Sequence, residues 1–210
     1  DAPVATPRGT NDVERLVDLV GRVSRVEDDL CVRAFQVAVG CVDAARGAVR
    51  WTRPAVGADG LHGDARAVFG TELDGRVTAW RRDNGEPLWR VDRLRWRQLT
   101  APLLIGRSVA IGDSTGLVHL ISRDDGAPMN RLSTDGSGIA GAPMQAGNTL
   151  IVATKAGRLF GFRPERCLRT SQFARLGSIS VIGSLQPRDL LESRIELRVV
   201  DLDAIIEIDC

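Results

Sequence analysis

The chain has 210 residues, of which 28 are basic and 27 acidic, giving a net charge of +1 at pH 7. This balance excludes the strongly basic surface needed to bind nucleic acid or an anionic membrane, and no apolar run approaches the length of a transmembrane helix. The sequence begins at Asp1 without a methionine or an apolar leader, which indicates a processed form, a fragment or part of a longer protein.

Residues 1–22 read as a loop that leads into the first repeated unit. Pro3, Pro7 and Gly9 disfavour regular structure at the start of this segment. The charged run that follows, residues 11–18, is compatible with a single helical turn capped by Asn11 or with an extended loop. We interpret it as a loop between two units.

Cys31 and Cys41 fall in one predicted hairpin whose turn lies near Gln36, so the two side chains can face each other across the strands. Two readings stay open, a disulfide and a pair of small buried thiols. A disulfide would indicate maturation in an oxidising compartment such as a periplasm. The chain's four cysteines are too few and too scattered for a disulfide scaffold.

A unit of about 41 residues repeats over residues 23–163. Ala101-Pro102-Leu103 recurs as Ala142-Pro143-Met144, and Gly116 recurs as Gly157, each 41 residues later. Within a unit, four short apolar runs are separated by turns rich in glycine and aspartate, which is typical of an antiparallel meander. The sequence therefore predicts an all-β fold, a β-propeller with about four four-stranded blades over residues 23–163.

Two turn positions recur within the units, and one of them is a glycine followed four residues later by tryptophan. In the third unit Asn130 replaces this tryptophan, and in the first unit Val37 replaces the glycine of the other turn. Glycines at such turns supply positive φ values, and the tryptophans are expected to wedge between neighbouring blades. The predicted structural residues are Gly47, Trp51, Gly75, Gly85, Trp89, Gly116, Gly126 and Gly157.

The repeat ends after Pro164, because no turn glycine follows at the expected offset. Residues 164–210 form a tail outside the repeat, to which the sequence assigns no function. A separate addition, a non-native extension and a displaced reading frame all remain compatible with it.

The sequence predicts no catalytic residue, no metal site and no cofactor. His62 and His119 are the only histidines, and they do not lie at metal-ligand spacing. The chain has no nucleophile elbow, phosphate-binding loop or dinucleotide fingerprint. A rigid surface with exposed loops instead favours protein–protein contact.

Several ordered motifs resemble the C-terminal half of the BamB family, lipoprotein subunits of the outer-membrane β-barrel assembly machinery. The matching segments are residues 10–18, 99–103, 109–119, 135–138, 142–143 and 155–160, with the two Gly-x-x-x-Trp motifs. The resemblance covers roughly residues 8–163. It implies that the chain is about half of an eight-bladed ring related to quinoprotein propellers, in which the last blade is completed by a strand from the N-terminal end.

The resemblance also implies a partner, the POTRA domains of BamA, and a location at the periplasmic face of the bacterial outer membrane. Unfolded outer-membrane protein precursors are the second implied partner, and the membrane is reached only through a lipid anchor outside this chain. One family contact loop carries two aspartates, and here Asp18 matches the first while Val20 stands at the second. Glu14 and Arg15 flank the loop as further candidates for partner binding.

Two alternatives remain. One is a fragment of a dehydrogenase that uses pyrroloquinoline quinone, since those enzymes share the Gly-x-x-x-Trp blades, although this chain lacks their adjacent cysteines. The other is a generic propeller module that binds an unidentified protein.

Overall fold

The computed structural model describes Val4, residues 18–163 and the backbone of three short strands in the tail. The regular secondary structure of these residues consists of β-strands alone. The strands form four four-stranded sheets and one two-stranded sheet. The prediction of an all-β fold of four-stranded antiparallel blades is confirmed. The described residues contain no helix that could span a membrane.

In the first three sheets, strands adjacent in sequence pair antiparallel, and we call these sheets blades 1, 2 and 3. Blade 1 consists of β1 (Leu19–Val26), β2 (Asp29–Ala34), β3 (Ala38–Asp43) and β4 (Ala48–Pro54). Blade 2 consists of β5 (His62–Gly63), β6 (Ala67–Thr71), β7 (Val77–Arg81) and β8 (Pro87–Val91). Blade 3 consists of β9 (Leu103–Ile105), β10 (Ser108–Gly112), β11 (Leu117–Ser122) and β12 (Pro128–Ser133).

The fourth sheet, blade 4, takes its last strand from the tail. Its strands in chain order are β13 (Met144–Ala146), β14 (Thr149–Ala153), β15 (Arg158–Phe162) and β17 (Gly183–Ser184). β17 pairs antiparallel with β15, and β16 (Ile179–Val181) pairs with β18 (Val199–Asp201) in the two-stranded sheet. The tail thus occupies the edge at which the resemblance places an N-terminal strand.

The first strand begins earlier than the sequence indicated, because Leu19 and Val20 pair with Ala34 and Arg33 of β2. The prediction that the loop extends to residue 22 was therefore wrong for residues 19–22. The strand bulges around Gly21, whose φ is 69°, where the backbone of Gly60 approaches closely. This bulge breaks the alternating pattern from which a strand is recognised.

The core lies between successive blades, so each central sheet is buried on both faces. In β6, Val68 packs toward blade 1 while the adjacent Phe69 packs toward blade 3. Alternate side chains of a strand point to opposite faces. A strand such as β6 is therefore apolar at every position because both faces of its sheet are buried. A sheet buried on one face would need only alternate apolar residues.

The repeated tryptophans join each blade to the next one. The indole Nε1 of Trp51 in blade 1 donates to the carbonyl of Arg82 at 2.7 Å, and a Cβ added to Gly85 would overlap its ring. Trp89 in blade 2 likewise donates to the carbonyl of Arg123 at 3.0 Å and covers Gly126. The glycine that each tryptophan requires is therefore the one in the following blade.

Gly47 is the position in blade 1 that corresponds to Gly85 and Gly126. Its φ is 62°, and no described atom lies within 4 Å of an added Cβ. The described residues contain no blade before blade 1, so this surface carries no tryptophan from a neighbour.

Candidate partner-binding face

One end of the blades, which we call the loop face, carries both the turns between second and third strands and the connections between blades. The two sets share an end because successive turns of a meander alternate between the ends of the sheet. Backbone hydrogen bonds link the loops from one blade to the next. They run from Gln36 N to Gly57 O (2.9 Å), Leu73 N to Val56 O (2.8 Å), Trp96 N to Asp74 O (2.9 Å), Ser114 N to Arg97 O (3.0 Å) and Lys155 N to Gly138 O (2.9 Å).

Asp18, the predicted partner-binding aspartate, lies at the start of the loop face. Its side chain is exposed, and its carbonyl accepts a hydrogen bond from the backbone N–H of Phe35 at 2.8 Å. Glu14 and Arg15 lie outside the described residues. The Asp18 carboxylate is therefore presented to solvent from a backbone that the first blade holds in place.

Five exposed hydrophobic side chains lie on four consecutive, hydrogen-bonded loops of this face, and we call them the apolar row. They are Phe35, Val37, Val56, Leu73 and Trp96, and they are between 42% and 78% exposed. Scattered exposed hydrophobic residues are normal, whereas a contiguous group marks a contact surface. Sequence analysis missed this group, since each member stands alone in a different loop.

Trp96 is the most exposed member of the apolar row, at 78%. Its φ is 65°, a left-handed conformation that is rare for a bulky residue and costs on the order of 1–3 kcal/mol. Its N–H donates to the carbonyl of Asp74, and an added Cβ on Gly75 would collide with the segment before it. The blade 2 turn therefore holds the Trp96 backbone in a strained conformation while the indole points away from the core.

Charged side chains next to Trp96 are paired with one another. Nε of Arg76 lies 2.7 Å from Oδ2 of Asp74, to which Arg95 also donates at 3.3 Å, and Arg97 donates to Asp113 at 3.0 Å. Burial would raise the pKa of Asp74, but these arginine hydrogen bonds lower it below its usual value. The arginines next to Trp96 are thus held by carboxylates of the protein itself, with Asp74 shared by two of them.

Asp113 and His119 form a buried pair beneath the loop face. Oδ2 of Asp113 lies 2.9 Å from Nε2 of His119, while Oδ1 accepts from the backbone of Thr115 and Leu117. Burial would raise the pKa of Asp113, but the hydrogen bonds from His119, Leu117 and Thr115 lower it to about 2. Both oxygens are occupied by donors from the protein, so the pair fastens the β10–β11 turn and its arrangement suits a structural role.

Asp113→Asn is expected to lower the free energy of unfolding by about 2 kcal/mol at pH 7, because the amide loses charge-assisted bonds to His119 and Arg97. The folded-state pKa is below 3.8, so this stabilisation is present above pH 3.8 and is lost as the pH falls toward 2. Urea unfolding of the wild type and of Asp113→Asn from pH 7 to pH 2 measures this. The difference between their free energies of unfolding should become smaller below about pH 4.

The matched control for Asp113→Asn is Asp124→Asn, because Asp124 is an exposed aspartate paired with Arg66 and Arg123. We expect it to change stability by no more than about 0.5 kcal/mol. A gap between the wild type and Asp113→Asn that stays constant to pH 2 would contradict the assigned role of the carboxylate.

Cys31 and Cys41 are directly opposite each other in β2 and β3, and the structure joins them in a disulfide. Both are fully buried in the core between blades 1 and 2, where they contact the cluster that contains Trp51. Val37 stands at the sequence position of the turn glycine, but in the structure it is the preceding Gln36 that adopts the positive φ, 55°. The pair therefore lies behind the loop that carries Phe35 and Val37.

The described residues contain no group of three or more histidine, cysteine, aspartate or glutamate side chains placed to hold a metal ion. A cleft of about 350 Å³ at the other end of blade 1 is lined by Glu27, Asp28, Asp29, Asp43 and Arg50, among others. Two of its carboxylates pair with Arg50, Asp29 at 2.8 Å and Asp43 at 3.4 Å. Arg46 and Arg50 balance only two of the four carboxylates, so the cleft is acidic. We take the loop face as the candidate site because Asp18 and the apolar row lie on it.

Comparison with known proteins identifies one family repeatedly. Residues 1–91 match the family model described as outer membrane protein assembly factor BamB. The chain is 43% identical over 163 residues to the outer membrane protein assembly factor BamB of Burkholderia pseudomallei, covering 78% of this chain and 43% of that protein. The chain therefore spans less than half the length of this relative.

Two solved structures bear on the fold. The crystal structure of BamB from Moraxella catarrhalis matches with a TM-score of 0.64 and 28% identity, over 70% of this chain and 43% of that one. A quinohemoprotein alcohol dehydrogenase from Comamonas testosteroni matches with a TM-score of 0.62 and 13% identity, over 78% of this chain and 34% of that one. The second match shows a shared fold alone.

Proposed function

We propose that the chain belongs to the family of outer membrane protein assembly factor BamB and acts as a non-enzymatic scaffold of outer-membrane protein assembly. The observation that carries the proposal is the 43% identity to a protein of that name over most of the chain. The loop face supports it, since exposed loops on a rigid sheet scaffold are suited to binding a partner.

Within that role, we propose that Asp18 takes part in binding the POTRA domains of BamA at the periplasmic face of the outer membrane. Its exposed carboxylate on a fixed backbone suits a partner with a positive charge, because exposed charges mainly steer and orient association. Glu14 and Arg15 are proposed to assist from the same segment. The further role proposed for the chain is to assist the insertion of unfolded β-barrel precursors, with membrane attachment through a lipid anchor outside this chain.

Asp18→Arg is expected to weaken binding of the purified BamA POTRA domains to the 210-residue chain on the order of tenfold. The reason is that reversing the charge replaces attraction by repulsion at the edge of the contact. Surface plasmon resonance at two salt concentrations measures the effect, which should shrink at high salt.

The matched control is Asp28→Arg, which makes the same charge change in the β1–β2 turn at the other end of blade 1. We expect this variant to bind like the wild type. Equal weakening by both variants would indicate a net-charge effect, and no weakening by Asp18→Arg would exclude this loop from the contact.

The alternative of a quinone-dependent dehydrogenase fragment is supported only by the shared fold. Spectral titration of the chain with pyrroloquinoline quinone and calcium distinguishes the two functions, and we expect no saturable spectral change. A generic propeller module is distinguished by the same POTRA measurement.

A further inference from the structure

The apolar row begins beside Asp18 but leads away from it, across blade 1 and blade 2. Backbone hydrogen bonds join each of its four loops to the next. The loops carry, in this order, Val37, Val56, Leu73 and Trp96. Neighbouring hydrogen-bonded chains lie roughly 4.7–4.9 Å apart, so the row is about 15 Å from its first loop to its fourth. Five of the nine exposed large hydrophobic residues among the described residues belong to it.

The row presents on the order of 400 Å² of apolar surface, the size of a functional patch on a monomer. A standard interface buries about 800 Å² on each partner, so the row alone is too small for a stable two-fold contact with a second copy of the chain. The arginines beside Trp96 are already paired with Asp74 and Asp113. The row therefore suits a narrow and apolar occupant.

An extended polypeptide segment has those dimensions. It rises about 3.3 Å per residue and places alternate side chains on one face, so about five residues present three apolar side chains along 15 Å. Strands of outer-membrane β-barrels alternate apolar and polar residues in this way. Before insertion, such a strand has an apolar face that no lipid covers.

Building on the proposed function, we propose that the apolar row binds one extended segment of an unfolded outer-membrane β-barrel protein through the alternating apolar face of that segment. Trp96 is the anchor of this contact, because its large and rigid side chain is held outward by a strained backbone. Val56 and Leu73 supply the contacts for the preceding side chains. Trp96 lies at the end of the row away from Asp18, so variants of Trp96 and of Asp18 test the two contacts independently.

The experiment uses the 210-residue chain and a synthetic ten-residue peptide of alternating apolar and polar residues without tryptophan. Isothermal titration calorimetry measures peptide binding to every variant. Trp51 and Trp80 are buried and Trp89 is half-buried, so in chains that keep Trp96 a blue shift of tryptophan fluorescence reports mainly on that residue. The comparison peptide has the same composition with its apolar residues grouped together.

Two variants remove the row without disturbing the core. Trp96→Asn removes the indole and introduces asparagine, which tolerates the positive φ at this position. The second variant, Val56→Ser/Leu73→Ser, removes two further exposed hydrophobic side chains. The control Met144→Ser removes an exposed hydrophobic side chain of β13, and circular dichroism confirms that every variant is folded. We expect each row variant to weaken peptide binding on the order of tenfold, and Met144→Ser to have no effect.

Three results would overturn the proposal: unchanged peptide binding by the row variants, equal binding of the grouped peptide, or self-association of the chain that Trp96→Asn abolishes in the absence of peptide. Binding of the POTRA domains is measured on the same variants. If Asp18→Arg weakens POTRA binding while the row variants leave peptide binding unchanged, the inference about the row fails and the proposed function stands. If the row variants weaken peptide binding while Asp18→Arg leaves POTRA binding unchanged, the proposed role of Asp18 is wrong and the inference about the row stands.

Discussion

Trp51→Ala is expected to lower the free energy of unfolding of the chain by about 4 kcal/mol, the loss typical of a buried tryptophan. Trp51 is buried in the core between blades 1 and 2 and donates a hydrogen bond to the carbonyl of Arg82. Its removal leaves a cavity and an unpaired carbonyl at the contact between two sheets. Urea unfolding followed by far-ultraviolet circular dichroism measures the loss, and Trp96→Ala, at an exposed tryptophan, is expected to stay within about 0.5 kcal/mol of the wild type.

A double-mutant cycle with Gly85 tests whether the indole acts through the next blade. An alanine at residue 85 would overlap the Trp51 ring and also take a φ of 71°, so Gly85→Ala is expected to cost about 2 kcal/mol or more. In the Trp51→Ala background the overlap disappears, and only the backbone penalty of about 1 kcal/mol should remain. Losses that simply add would show that the two residues do not form one contact.

The repeat made the blades predictable because glycine and tryptophan recur for a geometric reason. Gly75, Gly116 and Gly157 all adopt positive φ at hairpin turns, which few other residues tolerate. The tryptophans were expected to wedge between neighbouring blades, and their spacing from Gly47 and Gly85 did not say which glycine each one contacts. The structure pairs Trp51 with Gly85, because the contact runs from one sheet to the next.

The start of β1 and the apolar row could not be predicted for a related reason. Both depend on which loops become neighbours in space, and that information is spread over several units of the repeat. Trp96 carried one signal, since it falls seven residues after the repeated Trp89 and therefore outside the blade pattern. A tryptophan without a place in the repeat was a candidate for the surface.

The candidate site was predictable only at its edge. Asp18 was identified from a resemblance, and the structure places it on the loop face next to Phe35. The buried Asp113–His119 pair was not recognised, because these two residues, six positions apart in sequence, meet only once the β10–β11 hairpin forms. His119 is buried in the folded chain.

Replacing both Cys31 and Cys41 by alanine is expected to lower the free energy of unfolding by about 3 kcal/mol. The two cysteines are ten residues apart, so the disulfide removes the entropy of a short loop from the unfolded chain. It also lies in the core between blades 1 and 2, where loss of the sulfur atoms reduces packing around Trp51. Urea unfolding with and without a reducing agent measures the contribution.

The chain's other two cysteines, Cys167 and Cys210, require a control because a reducing agent acts on them as well. Cys167→Ala/Cys210→Ala should keep the full response to reduction, and Cys31→Ala/Cys41→Ala should lose it. An unchanged midpoint on reduction of the first variant would mean that Cys31 and Cys41 are two buried thiols. A lowered midpoint would mean that blade 1, which carries Phe35 and Val37 of the apolar row, reaches its full stability only when the disulfide is formed. Such stability needs an oxidising compartment, which agrees with the proposed periplasmic location.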